Sequence, residues 1–410
     1  MRPDAPPVAP DGRQTLAGVA LADGRVVDLQ LDGSRIAAMP AAAGPARRLA
    51  LPLPVDPHLH LDKTHTAGRA GRGAPGLFGA IEATRADKVH WTAADIRARA
   101  GRALAEAETA GMRGVRTHVD WEDAGEPRAW GVLGAMAREW RGRITIQRAA
   151  LCPLDLIGDP ALGPDIAVRV AECEDAVLGA FVYRNDALHD KLARVFALAE
   201  RHALPLDFHV DEGLDPEARG IETIIELTAR HGMAGRVLCG HACSLSVRPA
   251  PEAAAVLARA AEAGVGLCAL PTTNTWLQDA APGRTPRLRG IAPLHEARAA
   301  GVEVMLGADN VADPFYPYGA YDPLDVLRQA AWAAHLEPGA WIDAVTTTPA
   351  RWLGLDAGTL EPGAPADFLL LPAPGWDEAL RHPCISRRVF RAGHETSAPL
   401  TNALTDEAPL

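Results

Sequence analysis

Short apolar runs alternate with longer segments of helical periodicity through the middle of the chain. In the segment 95–110, for example, Ile96, Ala100 and Leu104 share one helical face. Eight apolar runs follow one another from about residue 50: LALPLPVDPHLH, RGVRTHVDW, RITIQRAALCP, DAVLGAF, LPLDFHVDE, RVLCGHACSL, GVGLCALPTTN and VEVMLGADN. This order predicts an α/β fold, a parallel (β/α)₈ TIM-type barrel. An open doubly wound sheet is the alternative, but no glycine-rich dinucleotide fingerprint follows the first run.

Both ends of the chain have a different pattern. Residues 14–50 contain short apolar stretches joined by the turn signals Asp23-Gly24 and Asp32-Gly33. After residue 355, two further strand-like stretches with Pro/Gly turns follow, GTLEPGAPADFLLLPAP and ISRRVFRAGH. We expect the two ends to pair into one small β-sandwich domain. The predicted organisation is therefore 1–50 and 356–410 for this domain, with 396–410 as a loose tail, and 51–355 for the barrel.

Composition and charge exclude several classes of protein. Hydrophobic residues make up 48% of the 410 residues, enough for a large core and too many for a disordered or collagen-like chain. The net charge of −11 argues against binding of a nucleic-acid backbone. No apolar run reaches the about 18 residues of a membrane helix, and the N-terminus lacks the apolar part of a secretory signal. We expect no nucleic-acid or membrane partner and a cytoplasmic location, where the scattered cysteines stay reduced.

Histidines stand where the first predicted strand ends. In a barrel, the carboxyl ends of the strands converge on one pocket. The first run ends in His58-Leu59-His60, and alternation along a strand puts both imidazoles on the same side, where they can bind one cation. As an isolated feature, such a pair is equally consistent with ordinary polar residues.

The later runs add further ligand types to this pair. The fifth run ends in His209, with Glu212 three residues on, the sixth in His241, and the eighth in Asp309-Asn310. Three imidazoles and one carboxylate suit Zn²⁺, Fe²⁺ or Mn²⁺ and leave a position open for water. An ion of this kind acidifies water, and Glu212 is placed to carry the released proton to a leaving nitrogen. We therefore predict a site for one divalent metal ion with hydrolytic chemistry.

Several of these motifs, in the same order, resemble cytosine deaminase and its relatives in the metal-dependent amidohydrolase superfamily. They are PHLHLDKTHTAG, VRTHVD, DFHVDE, GHACSL, the stretch from NTWLQ to TPRLRGIAPLHEARAAGVEV, and GADNVADPFYPYG. The resemblance covers essentially the whole chain, including the flanking β-domain.

The resemblance implies a role for each matching residue. The metal ligands would be His58, His60, His209 and Asp309. Iron and zinc are the common metals of this branch. Glu212 would shuttle a proton to a ring nitrogen of the substrate, His241 would orient the attacking water and stabilise the tetrahedral intermediate, and Asp309 would also act as the base. The branch lacks the carboxylated lysine of its binuclear relatives, and the fourth run here ends without a lysine. A homo-oligomer is suggested only by what is common in the family.

Three positions depart from the cytosine deaminase pattern. Leu154 stands where that family has a glutamine that reads the pyrimidine edge, Asn310 where it has a second aspartate, and Phe315 where it has a tryptophan. Replacing an amide with an apolar side chain can change discrimination between substrates by orders of magnitude. We therefore expect a substrate other than cytosine, with these three residues among those that bind it.

Lys63 is a further candidate for substrate binding. It follows His60 by three residues, and its ammonium group can bind an anionic oxygen of the substrate or intermediate. A salt bridge with Asp62 or Asp120 explains the residue equally well.

Other polar and aromatic residues lie next to the motifs. Asn274, Trp276 and Gln278 follow the seventh run and can face the ligand, although packing explains Trp276 equally well. His65 and His118 are interpreted as structural.

Three functions are compatible with this pattern. The first is hydrolytic deamination of an amino-substituted N-heterocycle, such as a pyrimidine, pterin, purine or triazine, with release of ammonia. The second is hydrolysis of an N-alkylamino group or cyclic amide of a triazine-like heterocycle, which an oxygen-binding Lys63 favours. The third, a non-catalytic metal- or ligand-binding barrel, is opposed by the joint presence of Glu212, His241 and Asp309, because binding alone needs no proton shuttle. The expected protein is thus a hydrolase of non-peptide carbon–nitrogen bonds with a small heterocyclic substrate.

Overall fold

The computed structural model describes residues 14–71, 73–382 and 385–396. Cys384 and the predicted tail, except its first residue, lie outside this part of the chain. Within it, the strands are β1 (Gln14–Ala20), β2 (Val26–Asp32), β3 (Arg35–Ala38), β4 (Arg48–Pro52), β5 (Val55–Leu59), β6 (Gly114–Asp120), β7 (Thr145–Pro153), β8 (Ala176–Val182), β9 (Leu206–Val210), β10 (Val237–His241), β11 (Val265–Ala269), β12 (Val304–Leu306), β13 (Phe368–Leu371), β14 (Arg388–Arg391) and β15 (His394–Glu395).

Helices separate most of these strands. They are α1 (Ala67–Ala70), α2 (Leu77–Asp87), α3 (Ala93–Thr109), α4 (Arg128–Glu139), α5 (Leu154–Ile157), α6 (Gly163–Ala171), α7 (Leu188–His202), α8 (Gly220–Arg230), α9 (Ala250–Ala263), α10 (Pro271–Leu277), α11 (Leu294–Ala299), α12 (Pro323–Ala334), α13 (Pro338–Trp341), α14 (Thr347–Trp352) and α15 (Trp376–Arg381). Short 3₁₀ helices span Lys88–His90, Cys243–Val247 and Ile342–Val345. None of the helices in the described ranges is long and apolar enough to cross a membrane.

Strands β5 to β12 form an eight-stranded sheet in sequence order, and neighbouring strands are parallel. Leu59 of β5 forms a parallel bridge with Asp309, just beyond β12, and the N–H of Asp309 donates to the carbonyl oxygen of His58 at 2.8 Å. The first and last strands therefore meet, and the sheet closes into the predicted (β/α)₈ barrel. The doubly wound alternative is wrong because it would leave these two strands apart.

Helix α3 illustrates why the segments between the strands are helical. The hydroxyl of Thr92 accepts the N–H of Asp95 at 3.1 Å and caps the first turn. Ile96, Ala100 and Leu104 are fully buried, as their spacing predicts. Full burial of a Leu or Ile side chain contributes about 1.5–3 kcal/mol, so this face holds the helix against the barrel.

The two chain ends form one seven-stranded sheet, in the order β15-β14-β13-β4-β1-β2-β3. Its predicted turns are present, and Gly24 and Gly33 adopt φ angles of 84° and 55°, which glycine tolerates best. A bridge between Arg35 and Pro365 brings β3 back towards the segment before β13, so the sheet folds over an apolar cluster that includes Phe368. The predicted small β-domain built from both ends is confirmed.

The chain passes between the two sheets twice. Strand β4 ends at Pro52 and β5 begins at Val55, and on the return α14 ends at Trp352 and β13 begins at Phe368. The domain boundaries at residues 50 and 355 stay a prediction.

Strand alternation divides the barrel interior into layers. Arg116 of β6 and Asp207 of β9 face inward and meet at 2.7 Å, although their strands are not neighbours. Arg116 also donates to the carbonyl oxygen of Trp352, which lies at the amino-terminal end of the barrel. Two residues further along the same strands come His118 and His209. The next layer therefore lies at the carboxyl edge of the sheet, where the predicted ligands are.

Candidate metal and proton-transfer site

The predicted ligands converge at the carboxyl edge of the barrel. Nε2 of His209 lies 3.1 Å from Nε2 of His58 and 3.2 Å from Nε2 of His60. Oδ1 of Asp309 lies 3.5 Å and 3.2 Å from the same nitrogens of His58 and His60. All four side chains are buried, with at most 4% of their surface exposed.

This arrangement fits one divalent cation. Two donors that are each about 2.1 Å from a tetrahedral ion lie about 3.4 Å apart, close to the distances between these atoms. Three imidazole nitrogens that face one point cannot all satisfy one another by hydrogen bonds. In addition, neither carboxylate oxygen of Asp309 has a hydrogen-bond partner in the described part of the chain. The cluster is therefore a candidate site for a divalent metal, and its three imidazoles and one carboxylate suit Zn²⁺, Fe²⁺ and Mn²⁺ alike.

Backbone contacts hold the ligands in place. The carboxylate of Asp56 accepts the N–H of His58 at 3.0 Å and the N–H of Ala308 at 3.0 Å. These two hydrogen bonds connect His58 to the segment that carries Asp309. Gly240 leaves room for the ligand ring, because a Cβ atom there would lie 2.8 Å from Cε1 of His58.

A further histidine lies beneath the ligands. The rings of His118 and His58 are 4.0 Å apart, and Nε2 of His118 lies 3.2 Å from Asp207. Burial, followed by the charge of neighbouring imidazoles, lowers the pKa of His118 to about 3, so the ring is neutral. His118 supports a ligand ring, in agreement with a structural role. His65 lies 3.7 Å from Glu106 of α3 and so points away from the cluster.

Glu212 and His241 lie beside Asp309, with one ligand atom from each of the three within 4.8 Å of the others. Burial, followed by the charge of Asp309, raises the pKa of Glu212 well above its ordinary value. Burial also opposes ionisation of Asp309, but His58 and His60 outweigh it and hold the pKa of Asp309 well below its usual range. The pKa values of these two neighbouring carboxyl groups are therefore shifted in opposite directions, as the different roles of an acid and a base require.

A left-handed backbone conformation directs the side chain of His241 into the site. Leu238 and Gly240 face the barrel interior, so alternation alone would direct His241 towards the surrounding helices. The φ angles of His241 and Ala242 are 69° and 48°, a conformation that non-glycine residues rarely adopt. The reversed ring places Nδ1 of His241 3.0 Å from the amide nitrogen of Asn274 and 3.5 Å from Oε1 of Glu212.

Lys63 is buried and paired. Its ammonium group donates to Asp120 at 2.6 Å and lies 5.4 Å from the centre of the Phe315 ring. Burial opposes the charge, but Asp120 and Asp62 outweigh it, so the pKa of Lys63 lies above its usual value. Lys88 also binds Asp120, at 2.8 Å. The salt bridge considered for Lys63 is present, and its contact with substrate stays a prediction.

The other predicted substrate-binding residues lie at the same edge in different surroundings. Leu154 is buried and begins α5 directly after β7. Asn310 is buried, and its amide donates to Asp313 at 2.7 Å. Trp276 on α10 is 38% exposed, and its ring lies 5.4 Å from that of Tyr318. The edge thus combines fixed, buried side chains with an exposed aromatic rim.

Asp313 was missed by the sequence analysis. Besides the amide of Asn310, its carboxylate accepts the N–H groups of Phe315 at 2.9 Å and Tyr316 at 3.1 Å, and so it fixes the loop after β12. Burial raises the pKa of Asp313 to about 7. The Asp-Pro pair in this loop was an available turn signal.

Phe181 was also missed. It pairs in register with His209 on the neighbouring strand, and it faces the interior because Ala180 and Val182 pack outward. It is partly exposed there and stacks on Tyr183, with the ring centres 6.3 Å apart. Phe181 therefore forms an aromatic wall at the level of the ligands, which the alternation within DAVLGAF could have indicated.

Comparison with known proteins identifies the family. Residues 153–383 match the Amidohydrolase family, and a curated pterin deaminase of Rhizobium rhizogenes is 37% identical over 381 residues. That alignment covers 92% of this chain and 87% of the relative. The chain belongs to the amidohydrolase family.

Solved structures agree with the fold of this amidohydrolase. A 5-methylcytosine deaminase from Klebsiella pneumoniae, liganded with 5-fluorocytosine, superimposes with a TM-score of 0.80 at 27% identity, covering 93% of this chain and 97% of that one. An N-isopropylammelide isopropylaminohydrolase from Burkholderia multivorans gives a TM-score of 0.76 at 26% identity, with the same coverages of 93% and 97%. The predicted fold and the resemblance to relatives of cytosine deaminase are confirmed.

Proposed function

We propose that this amidohydrolase is a metal-dependent hydrolytic deaminase of an amino-substituted N-heterocycle, with pterins as the first substrate class. The observation that carries this proposal is the buried set of three histidines and Asp309 with Glu212 beside it, where burial raises the pKa of the Glu212 carboxyl group. The 37% identity to a pterin deaminase over 92% of the chain supports the choice of ring system. The departures at Leu154, Asn310 and Phe315 agree with a substrate other than cytosine.

The proposed metal is a single Zn²⁺ or Fe²⁺ ion, with Mn²⁺ as a third possibility, and its ligands would be His58, His60, His209 and Asp309. Such an ion supplies Lewis acidity, which lowers the pKa of water and stabilises developing negative charge.

The two carboxyl groups divide the proton transfers. Asp309 takes a proton from water as the water oxygen bonds to the amine-bearing ring carbon. Glu212 gives its proton to the adjacent ring nitrogen, which receives the electron pair of the carbon–nitrogen double bond. Asp309 then passes its proton to the amino group, the carbon–nitrogen bond breaks and ammonia leaves. The hydroxyl proton returns to Glu212 as the ring carbonyl forms, so both residues regain their starting states.

Lys63 is proposed to bind a ring carbonyl oxygen. In a pterin, as in cytosine, one ring nitrogen separates the amine-bearing carbon from a carbonyl carbon. The positive charge of Lys63 acts on the carboxyl group of Glu212 and opposes the rise of its pKa, which supports placing both side chains around the same substrate. A charge-assisted hydrogen bond to that oxygen contributes about 1.5–3 kcal/mol.

A panel of heterocycles tests this function. We expect the metal-loaded enzyme to release ammonia from pterin with a kcat/KM at least about ten times that for cytosine, guanine or melamine, a difference of about 1.4 kcal/mol. Absence of ammonia from every amino-heterocycle, with metal bound, would contradict the deaminase assignment.

Hydrolytic release of an alkylamine is the second candidate. The TM-score of 0.76 with an isopropylaminohydrolase and the buried cation of Lys63, which suits an oxygen-rich ring, favour it. Detection of isopropylamine from N-isopropylammelide, without ammonia from pterin, would favour this function over deamination.

A further inference from the structure

The two ring nitrogens of His241 have different surroundings. Nδ1 lies 3.0 Å from Nδ2 of Asn274, whereas Nε2 is buried with no hydrogen-bond partner in the described part of the chain. Both side chains are 1% exposed, so water does not replace these contacts freely. The rings of His241 and His209 are 4.9 Å apart, so the imidazole lies beside the ligand cluster, and its Nδ1 also lies 3.5 Å from Oε1 of Glu212.

The contact at Nδ1 determines where the proton of a neutral ring resides. A neutral imidazole has one nitrogen that donates and one that accepts. An amide nitrogen is a donor only, so Nδ1 of His241 is the acceptor, and Nε2 carries the proton.

Asn274 is held firmly enough to select this state. Its backbone N–H donates to Leu270 at 3.0 Å within the short helix α10. The neighbouring Thr272 donates its hydroxyl to the carbonyl oxygen of Ala308 at 3.2 Å. The first turn of α10 is thereby attached to the residue that precedes Asp309, so the backbone of Asn274 has a fixed position relative to the ligand cluster.

We propose that Asn274 is a positioning residue that holds His241 as the Nε2–H tautomer, with its N–H directed at the oxygen that adds to the substrate. The role assigned here replaces direct substrate contact by Asn274, and it rests on the proposed hydrolytic function. A fixed donor stabilises negative charge as it develops on that oxygen. The opposite tautomer would present a lone pair to the same oxygen and repel it.

The tautomer itself is the direct test, because it does not depend on the substrate. The ¹⁵N signals of His241 are recorded in the full-length, Zn-loaded enzyme and assigned by their loss in His241→Gln. We expect the Nε2–H tautomer in the wild type. In Asn274→Asp, whose carboxylate can only accept, we expect the Nδ1–H tautomer or the doubly protonated ring. An Nδ1–H tautomer in the wild type, or an unchanged tautomer in Asn274→Asp, overturns the proposal.

Kinetics with pterin separate positioning from a structural role. We expect Asn274→Asp and Asn274→Leu to lower kcat about 10- to 100-fold, the usual effect of losing the partner that orients a functional histidine. KM and the metal content should change less than about twofold, in contrast to the loss of a substrate contact or a ligand. Thr275→Val is the matched control, because Thr275 lies on the same helix and its hydroxyl donates to the carbonyl oxygens of Pro271 and Thr272 in that helix. A rise in KM with unchanged kcat would overturn the positioning role in favour of substrate contact.

Discussion

The ligand cluster and the rim above it are built differently. The ligands lie on or directly after strands, and backbone bonds through Asp56 join the two strands that close the barrel. At the rim, Trp276 and Tyr318 are 38% and 59% exposed. This contrast teaches that the barrel fixes the hydrolytic groups, while the aromatic rim is packed less tightly. Changes in the cluster should therefore lower turnover more than changes at the rim.

The largest effect is expected from Asp309→Asn. The change removes a charged ligand and the proposed base, and loss of general base catalysis alone costs about 10²–10⁴-fold in rate. We expect kcat to fall by at least about 10³-fold and the bound metal to decrease, measured by ammonia release and by elemental analysis.

Asp211→Asn is the matched control for this change. Asp211 is equally buried and lies after β9, but its carboxylate accepts the N–H groups of Gly220 and Ile221 instead of facing the cluster. It should retain its metal. Full metal occupancy and turnover in Asp309→Asn would show that the cluster is not the reaction centre.

Lys63 lies between the cluster and the rim, and its replacement is expected to have the next largest effect on turnover. Lys63→Met should lower kcat/KM for pterin about 10- to 100-fold, because a charged hydrogen bond of about 1.5–3 kcal/mol is lost. Lys88→Met is the control, since Lys88 binds the same carboxylate of Asp120 at 2.8 Å. Equal losses in the two variants would assign Lys63 to the salt bridge alone.

Phe181 and Trp276 allow the interior wall and the rim to be compared directly. Phe181→Leu should raise KM for pterin about 2- to 10-fold, because an aromatic contact contributes about 0.5–1.5 kcal/mol. Trp276→Leu, at an exposed position, should change KM less than about twofold. The reverse order, measured by steady-state kinetics, would place the stacking surface at the rim.

The smallest effect concerns the pH dependence of stability. Burial raises the pKa of Asp313 from about 3.8 to about 7, so between these pH values the folded protein binds more protons there than the unfolded chain. Its contribution to stability is fully present below about pH 4 and is lost as the pH rises through 7. Relative to Asp313→Asn, the wild type should therefore lose unfolding free energy over this pH range. A constant difference in denaturant unfolding would show that Asp313 ionises normally.

The same contrast explains what could be predicted from sequence. Alternation in His58-Leu59-His60 and the order of the strand ends were sufficient to predict the fold and to select the residues that the fold brings together. Strand alternation predicts the wrong direction for the His241 side chain, because the left-handed backbone at that residue reverses it. The local sequence does not encode that reversal in its hydrophobic pattern.

Side-chain contacts between segments that are distant in the sequence could not be predicted with certainty from the sequence. The bond from Asn274 to His241 and the pair of Lys63 with Asp120 depend on how loops after different strands pack together. For Lys63, Asp62 and Asp120 stayed alternative partners, and for Asn274 no partner was predicted. Strand alternation within DAVLGAF could have indicated that Phe181 faces the interior. Phe181 was overlooked because this run ends without a polar residue.

The most direct test of the central claim is the turnover and metal content of Glu212→Gln. The account predicts that the ion remains at one per chain while deamination of pterin falls about 10²–10⁴-fold, because only the proton donor is removed. Glu217→Gln, an exposed change in the same segment, should leave both unchanged. Undiminished turnover in Glu212→Gln, with metal bound, would contradict the assignment of Glu212 as the proton shuttle and with it the proposed mechanism.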